Sequence, residues 1–132
     1  MSADFTGIWH ADLSRSKLLG PIPQAMTVRI AHSDPDLRQE IWVTKSDGSV
    51  ESTHFQCRTT GEEGHCLLNG NLLRGVARWQ GEELVIELWI QQGELEVYLC
   101  DCWSLSPDGQ TLRMEHRNDA LAGQVAILER AA

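Results

Sequence analysis

A chain of 132 residues, 42% hydrophobic and 23% charged, is long enough to build one core and too short for two. Its formal charge of −8 at pH 7 argues against non-specific binding to nucleic acid or an anionic membrane, both of which need a basic field. No apolar run approaches the ~20 residues of a transmembrane helix. Met1-Ser2-Ala3-Asp4 runs straight into a strand-like segment at Phe5, so no signal peptide is expected and the expected compartment is cytoplasmic.

From Phe5 onward the chain reads as short alternating runs separated by turn residues at hairpin spacing. Strands are expected near 5–13, 25–32, 37–45, 50–58, 65–68, 71–79, 82–91, 94–105, 110–117 and 123–130. The turns between them carry Asp34-Pro35-Asp36, Asp47-Gly48, Gly61-Glu62-Glu63-Gly64, Asn69-Gly70, Gln80-Gly81, Gln92-Gly93 and Ser106-Pro107-Asp108-Gly109. The long irregular stretch is Ser14 to Pro23, where two prolines oppose a strand. No segment has a sustained helical stripe. The expected fold is therefore all-β, a single domain over 1–132. Strands apolar on one face only, joined by tight hairpins without a Greek-key crossover, favour an antiparallel up-and-down β-barrel of about 8–10 strands over a sandwich.

The first strand carries Phe5-Thr6-Gly7-Ile8-Trp9, a Gly-x-Trp at the head of an all-β meander. This resembles the calycin superfamily of lipocalins, cytosolic fatty-acid-binding proteins and avidins. The resemblance implies a barrel closed at one end by Trp9, a basic residue of the last strand packed across it (Arg130 is the candidate), and a ligand cavity. It departs from the fatty-acid-binding branch in having no helix pair after the first strand. It departs from typical lipocalins in lacking an Asp-rich second motif and a C-terminal helix, so the resemblance chooses no branch.

The next hairpin has two readings. If Asp47-Gly48 is a two-residue turn, Ser52, His54 and Gln56 face inward and the cavity is polar. If Ser46-Asp47-Gly48 forms a three-residue loop with a bulge, the face flips and Thr53, Phe55 and Cys57 point in.

Later hairpins agree with each other. With Gln80-Gly81 as a two-residue turn, Ala77 opposes Leu84, Gly75 opposes Ile86 and Leu73 opposes Leu88. On the other face Arg74 meets Glu87 and Arg78 meets Glu83, as solvent-side cross-strand pairs should. The same reading of Gln92-Gly93 sets Ile90 against Leu95, Leu88 against Val97 and Ile86 against Leu99. Both place Leu84, Ile86, Leu88 and Ile90 inside. The following strand then carries Leu95, Val97, Leu99, Asp101, Trp103 and Leu105 inward, and the one after it Leu112, Met114 and His116.

Function is expected where this inner row turns polar. A symmetric Ser106–Gly109 turn sets Asp101 opposite His116, a pair able to anchor a ligand's polar group or to act as a general base. Trp9, Trp79 and Trp103 share the inward parity with small Gly75 and Ala77, and either fill the core or leave a slot for a flat or aliphatic ligand. The expected binding set is Asp101, His116, Trp103, Trp79, Leu88, Leu99 and Met114, with His54 added if its strand faces that way. No nucleophile or oxyanion donor is identifiable. The leading reading is thus a non-enzymatic intracellular carrier or sensor for a small hydrophobic or amphipathic ligand, needing no cofactor. The alternative is an acid–base enzyme, isomerase or lyase, working through Asp101 and His116. A third is an interaction module with a filled barrel. Trp42 and Trp89 point outward; Trp89, Leu72, Val85, Val76, Leu67 and Cys100 form an outer apolar patch that suits a homodimer, unless residues 14–23 fold over it. Cys57, Cys66, Cys100 and Cys102 lack zinc-binding spacing and are read as structural thiols rather than metal ligands.

Overall fold

A computed structural model describes residues 3–19, 22–68, 70–118 and 123–131, the side chains of Cys66 and Leu68 excepted. Asn69 of the fourth expected turn, Gly20 and Pro21 of the irregular segment, and the Cys66 thiol lie outside the described residues. Ten strands follow one another: β1 (Gly7–Ala11), β2 (Ala25–Ser33), β3 (Asp36–Thr44), β4 (Val50–Arg58), β5 (Gly64–Leu68), β6 (Asn71–Gln80), β7 (Glu83–Gln92), β8 (Leu95–Leu105), β9 (Thr111–His116) and β10 (Val125–Arg130). Among the described residues there is no helix. All ten join one antiparallel sheet in the order β4-β3-β2-β1-β10-β9-β8-β7-β6-β5, which curls into a nearly closed barrel, a shape compatible with a calycin-like fold.

The edges β4 and β5 meet along a seam rather than a ladder. An isolated bridge joins Thr60 to Arg78, and the Gly61 N–H donates to Ala77 O at 2.9 Å. Gly64 of β5 lies against β4 here, where a Cβ would meet the Cys57 Cα at 3.6 Å, an ordinary van der Waals contact.

Turn chemistry explains where the expected register holds and where it moves. The Asp47 hairpin adopts the three-residue form: Lys45 N–H donates to Ser49 O, Thr44 pairs with Val50, and Phe55 and Cys57 are buried. At the β6–β7 and β7–β8 hairpins the pairing is displaced by two residues. Gln80 pairs with Glu83 and Gln92 with Leu95, so the two-residue turns are Gly81-Glu82 and Gly93-Glu94. Gly81 (φ +67°) and Gly93 (φ +63°) thereby take the first central position, where both primed hairpin turns require positive φ. Because side chains alternate with period two, the displacement leaves every face intact and changes only the partners. Ala77 opposes Ile86, Gly75 opposes Leu88 and Leu73 opposes Ile90, while Arg74 faces Trp89 and Arg78 faces Val85. The expected Arg74–Glu87 and Arg78–Glu83 pairs give way to Arg78–Glu87 and Arg74–Glu96 ion pairs.

Leu84, Ile86, Leu88 and Ile90 are buried as expected. Leu95 is 72% exposed, against expectation, because the displaced register puts it opposite Gln92 at the hairpin tip, beyond the core.

One end of the barrel is sealed. Phe5 stacks on His32 and Trp79 and meets Trp103 edge-on, with centroids 5.7, 5.8 and 5.6 Å away. Its carbonyl accepts from Trp9 Nε1 at 3.0 Å. The Arg130 guanidinium lies 4.3 Å from the Trp9 ring centre and donates to the carbonyls of Thr6 and Gly109. Gly7, at φ +149°, makes room for it, since a Cβ there would come within 2.5 Å of Arg130 Nη1.

Candidate functional site

On the inner face of β8, Asp101 sits between Ile86 of β7 and His116 of β9. The Ser106 N–H donates to Thr111 O and Leu105 pairs with Leu112, so the turn is symmetric and the expected opposition forms. His116 Nδ1 lies 2.7 Å from Asp101 Oδ1. A carboxylate only accepts, so the Nδ1 proton belongs to the imidazole and the ring orientation is held by the acid. The Asp101 side chain keeps 34% of its surface exposed although it faces inward, and the His116 side chain keeps 11%. Val97, Leu99 and Met114, on the same inner rows, are half-buried against the core. These inner-row side chains keep partial exposure, in contrast to the Phe5 end, where stacked rings fill the interior.

The expected binding residues divide. Asp101, His116, Leu99 and Met114 share inner rows of β8 and β9 away from the Phe5 plug, and Trp103, paired with Leu84 and Met114, lies between them and the plug. Leu88 is buried and occupies the space beside Gly75, where a Cβ would come within 3.0 Å of its Cδ2, so the slot expected next to the small residues is filled. Trp79 belongs to the sealed end. His54 is exposed on the outer wall, a consequence of the three-residue loop that turns Phe55 inward.

A second His–Asp pair stands at the sealed end, unanticipated from the sequence. His32 Nδ1 accepts from the Phe5 N–H at 3.2 Å, so the ring proton is on Nε2, which donates to Asp34 Oδ1 at 3.0 Å. Thr59 Oγ1 and Trp79 Nε1 donate to the same oxygen. His32 shares the inward parity of Val28 and Ile30, which was the available signal. With Nδ1 committed to backbone and the ring enclosed by Phe5 and Trp79, this pair locks a plug. The Thr59 hydroxyl foremost, then His32 and Trp79, hold the Asp34 carboxyl below its usual range against the opposing effect of burial. A folded-state value below the unfolded ~3.9 means the ionised group stabilises the fold above that pH, and the contribution is lost as pH falls through the folded value. The melting-temperature gap between wild type and Asp34→Asn is therefore expected to close as pH drops from about 6 to about 3. A constant gap would show that the charge of Asp34 contributes nothing.

On the outer wall Trp89 is covered rather than bare. Arg74 lies 4.6 Å above its ring and Tyr98 5.3 Å beside it, and Tyr98 donates to Glu87 at 2.6 Å. Leu72 faces Leu67 on β5 instead of Trp89, and these two leucines are 52% and 60% exposed. Residues 14–19 do not cross this face. Lys17 bridges to Val125 of β10 and Leu18 packs against the core. Cys102, also on the outer wall, is buried, and desolvation together with a 2.8 Å bond to Glu83 pushes its thiol up to about 12. Open clefts occur at the β4–β5 seam, about 470 Å³ around Leu37, Cys57 and His65, and at the rim near Glu82, Ser104 and Pro107, about 520 Å³. Both lie away from the Asp101–His116 pair.

No protein-family model matches the chain, and no curated protein matches its sequence. The molecule is defined by its architecture: an antiparallel, nearly closed ten-stranded barrel with one end plugged by aromatic rings and an acid–imidazole pair at the other.

Proposed function

We propose that the protein is a non-enzymatic carrier or sensor that takes a small hydrophobic or amphipathic molecule into the barrel interior, polar end at Asp101 and His116. The observation that carries this reading is the partly exposed carboxylate on an inner face, bonded to His116 at 2.7 Å and sharing its inner row with Leu99. An inward carboxylate in an apolar setting is costly unless paired or solvated, and here it is both, at a place where a ligand group can replace water. Arg130 across Trp9 at the plugged end supports a place among the calycins.

A fluorescence titration with fatty acids, retinoids, flavins and other flat or amphipathic metabolites tests the reading. At least one class is expected to change tryptophan emission saturably, and Asp101→Asn is expected to weaken it about tenfold or more, the loss of a hydrogen bond to a charged group. If no compound gives a saturable change, the reading is wrong.

The exposed Leu67–Leu72 pair beside the β5 edge favours a second reading, a homodimer through the outer wall that also carries Trp89 and Val85. Native mass spectrometry separates the two, through a retained small molecule in one case and a doubled mass in the other.

A further inference from the structure

We infer that Gln39 and Thr53 form a neutral polar subsite on the inner wall of β3 and β4, and that it reads an uncharged ligand group able both to donate and to accept, a carboxamide or a lactam. This rests on the barrel interior being the binding site and gives it a second polar contact. Among the described residues the buried polar side chains are His32, Thr59 and Gln39. His32 and Thr59 are bonded within the plug. Gln39 is only 4% exposed, yet its side chain makes no hydrogen bond to a described residue. Such an amide carries the desolvation penalty of a donor and an acceptor with nothing to offset it. Every fully enclosed side-chain nitrogen and oxygen among the described residues has a partner. The Gln39 amide is therefore not fully enclosed, and the little exposure it keeps is contact with a solvent-sized space.

Alternation places that contact inside. Leu37 and Ile41 share the face of Gln39, and its ladder partners Ile30 and Phe55 are both buried. Thr53 faces the same way, two residues before Phe55, and pairs with Ile41. It is therefore diagonal to Gln39 across the β3–β4 ladder, a spacing of about 7–8 Å. Thr53 is half-buried, and its hydroxyl also makes no hydrogen bond to a described residue. The two side chains do not bond each other, so a group placed between them can bond both. The Gln39 amide offers an acceptor oxygen and two donor hydrogens, and the Thr53 hydroxyl one donor with acceptor lone pairs. An ionised group would meet apolar side chains at all of the positions flanking Gln39 and lose its hydration there without a counter-charge. An amide or lactam needs no counter-charge, and its own C=O and N–H match the N–H and C=O of the Gln39 side chain.

The test compares wild type with Gln39→Leu in two measurements. The first is thermal melting without ligand. Removing an amide that bonds nothing is expected to raise the melting temperature by about 2 °C or more, and a lowered melting temperature would show that the amide is structurally engaged and overturn the inference. The second is isothermal titration calorimetry with 2-quinolinone, naphthalene and 2-naphthoate, two-ring probes that carry a lactam, no polar group and a carboxylate. Gln39→Leu is expected to weaken 2-quinolinone about tenfold and to leave naphthalene and 2-naphthoate within about twofold. Thr53→Val is expected to weaken 2-quinolinone too, by a smaller factor. Gln39→Met takes the place of Gln39→Leu if that variant does not fold, and failure of both to fold would mean that the amide is needed structurally. With naphthalene binding intact, a 2-quinolinone affinity unmoved by the substitution would overturn the subsite and leave the interior as a binding site. A loss of 2-naphthoate equal to that of 2-quinolinone would overturn the preference for an uncharged group. If none of the three probes binds wild type, the interior is not a binding site and the subsite falls with it.

Discussion

Replacing Phe5 with alanine is expected to cost about 3–5 kcal/mol, the range for truncating a large buried aromatic ring. Phe5 is fully buried, and its ring is the shared neighbour of His32, Trp79 and Trp103. Aromatic pairs of this kind add about 0.5–1.5 kcal/mol each beyond the area they bury. Truncation leaves a void that the surrounding rings fill only by giving up their mutual geometry. It also leaves His32 with its Nδ1 bond to the Phe5 N–H but without the ring stacked on one side. Urea denaturation measures the loss, and a red shift in emission from newly hydrated Trp79 and Trp103 should accompany it. A loss under about 1 kcal/mol would mean that the segment before β1 does not plug the barrel.

Ile86→Ala is expected to cost about 2–5 kcal/mol, because Ile86 is buried between Ala77 and Asp101 on the inner row of β7. Arg74→Ala is expected to cost less than about 1 kcal/mol, since its bonds to Glu63 and Glu96 are made at a partly exposed outer position. Its contact with Trp89 adds about 0.5–1 kcal/mol at most at such a site. Thermal melts that rank the two substitutions in the opposite order would invert the assignment of inner and outer faces.

The faces of β6 to β9 were legible in the sequence because alternation has period two, and an error of two residues in register moves no side chain across the sheet. The partners were less legible. Gln80-Gly81 and Gly81-Glu82 both satisfy a two-residue turn, and only the demand for positive φ at the first central residue separates them. Leu95 was lost to that same ambiguity. The Asp101–His116 opposition was legible because the Ser106–Gly109 turn closes symmetrically. His54 was undecided, since the two loop lengths differ by one residue and one residue reverses a face. The alliance of His32 with Asp34, Thr59 and Trp79 joins separate strands around the circumference, and no local pattern announces it. Cys102 shows a further limit of parity: an outward position becomes buried when long charged side chains such as Glu83 and Arg117 lie over it.

The strand order has a consequence for how the chain must assemble. Nine ladders hold the sheet, and eight of them join strands that are consecutive in the chain. The exception is β1 with β10, where Trp9 meets Arg130. Each arm, β1 to β4 and β5 to β10, is a meander of local hairpins that close quickly on the scale of loop entropy. Joining the arms requires the ends of nearly the whole polypeptide to find each other, so the long-range part of the folding barrier is concentrated in one ladder. The seam between β4 and β5 lies at the opposite side of the circuit, spanned by a short connection and without a ladder of its own. A circular permutant linked from β10 to β1 and opened in that connection would keep all nine ladders while making every one of them local.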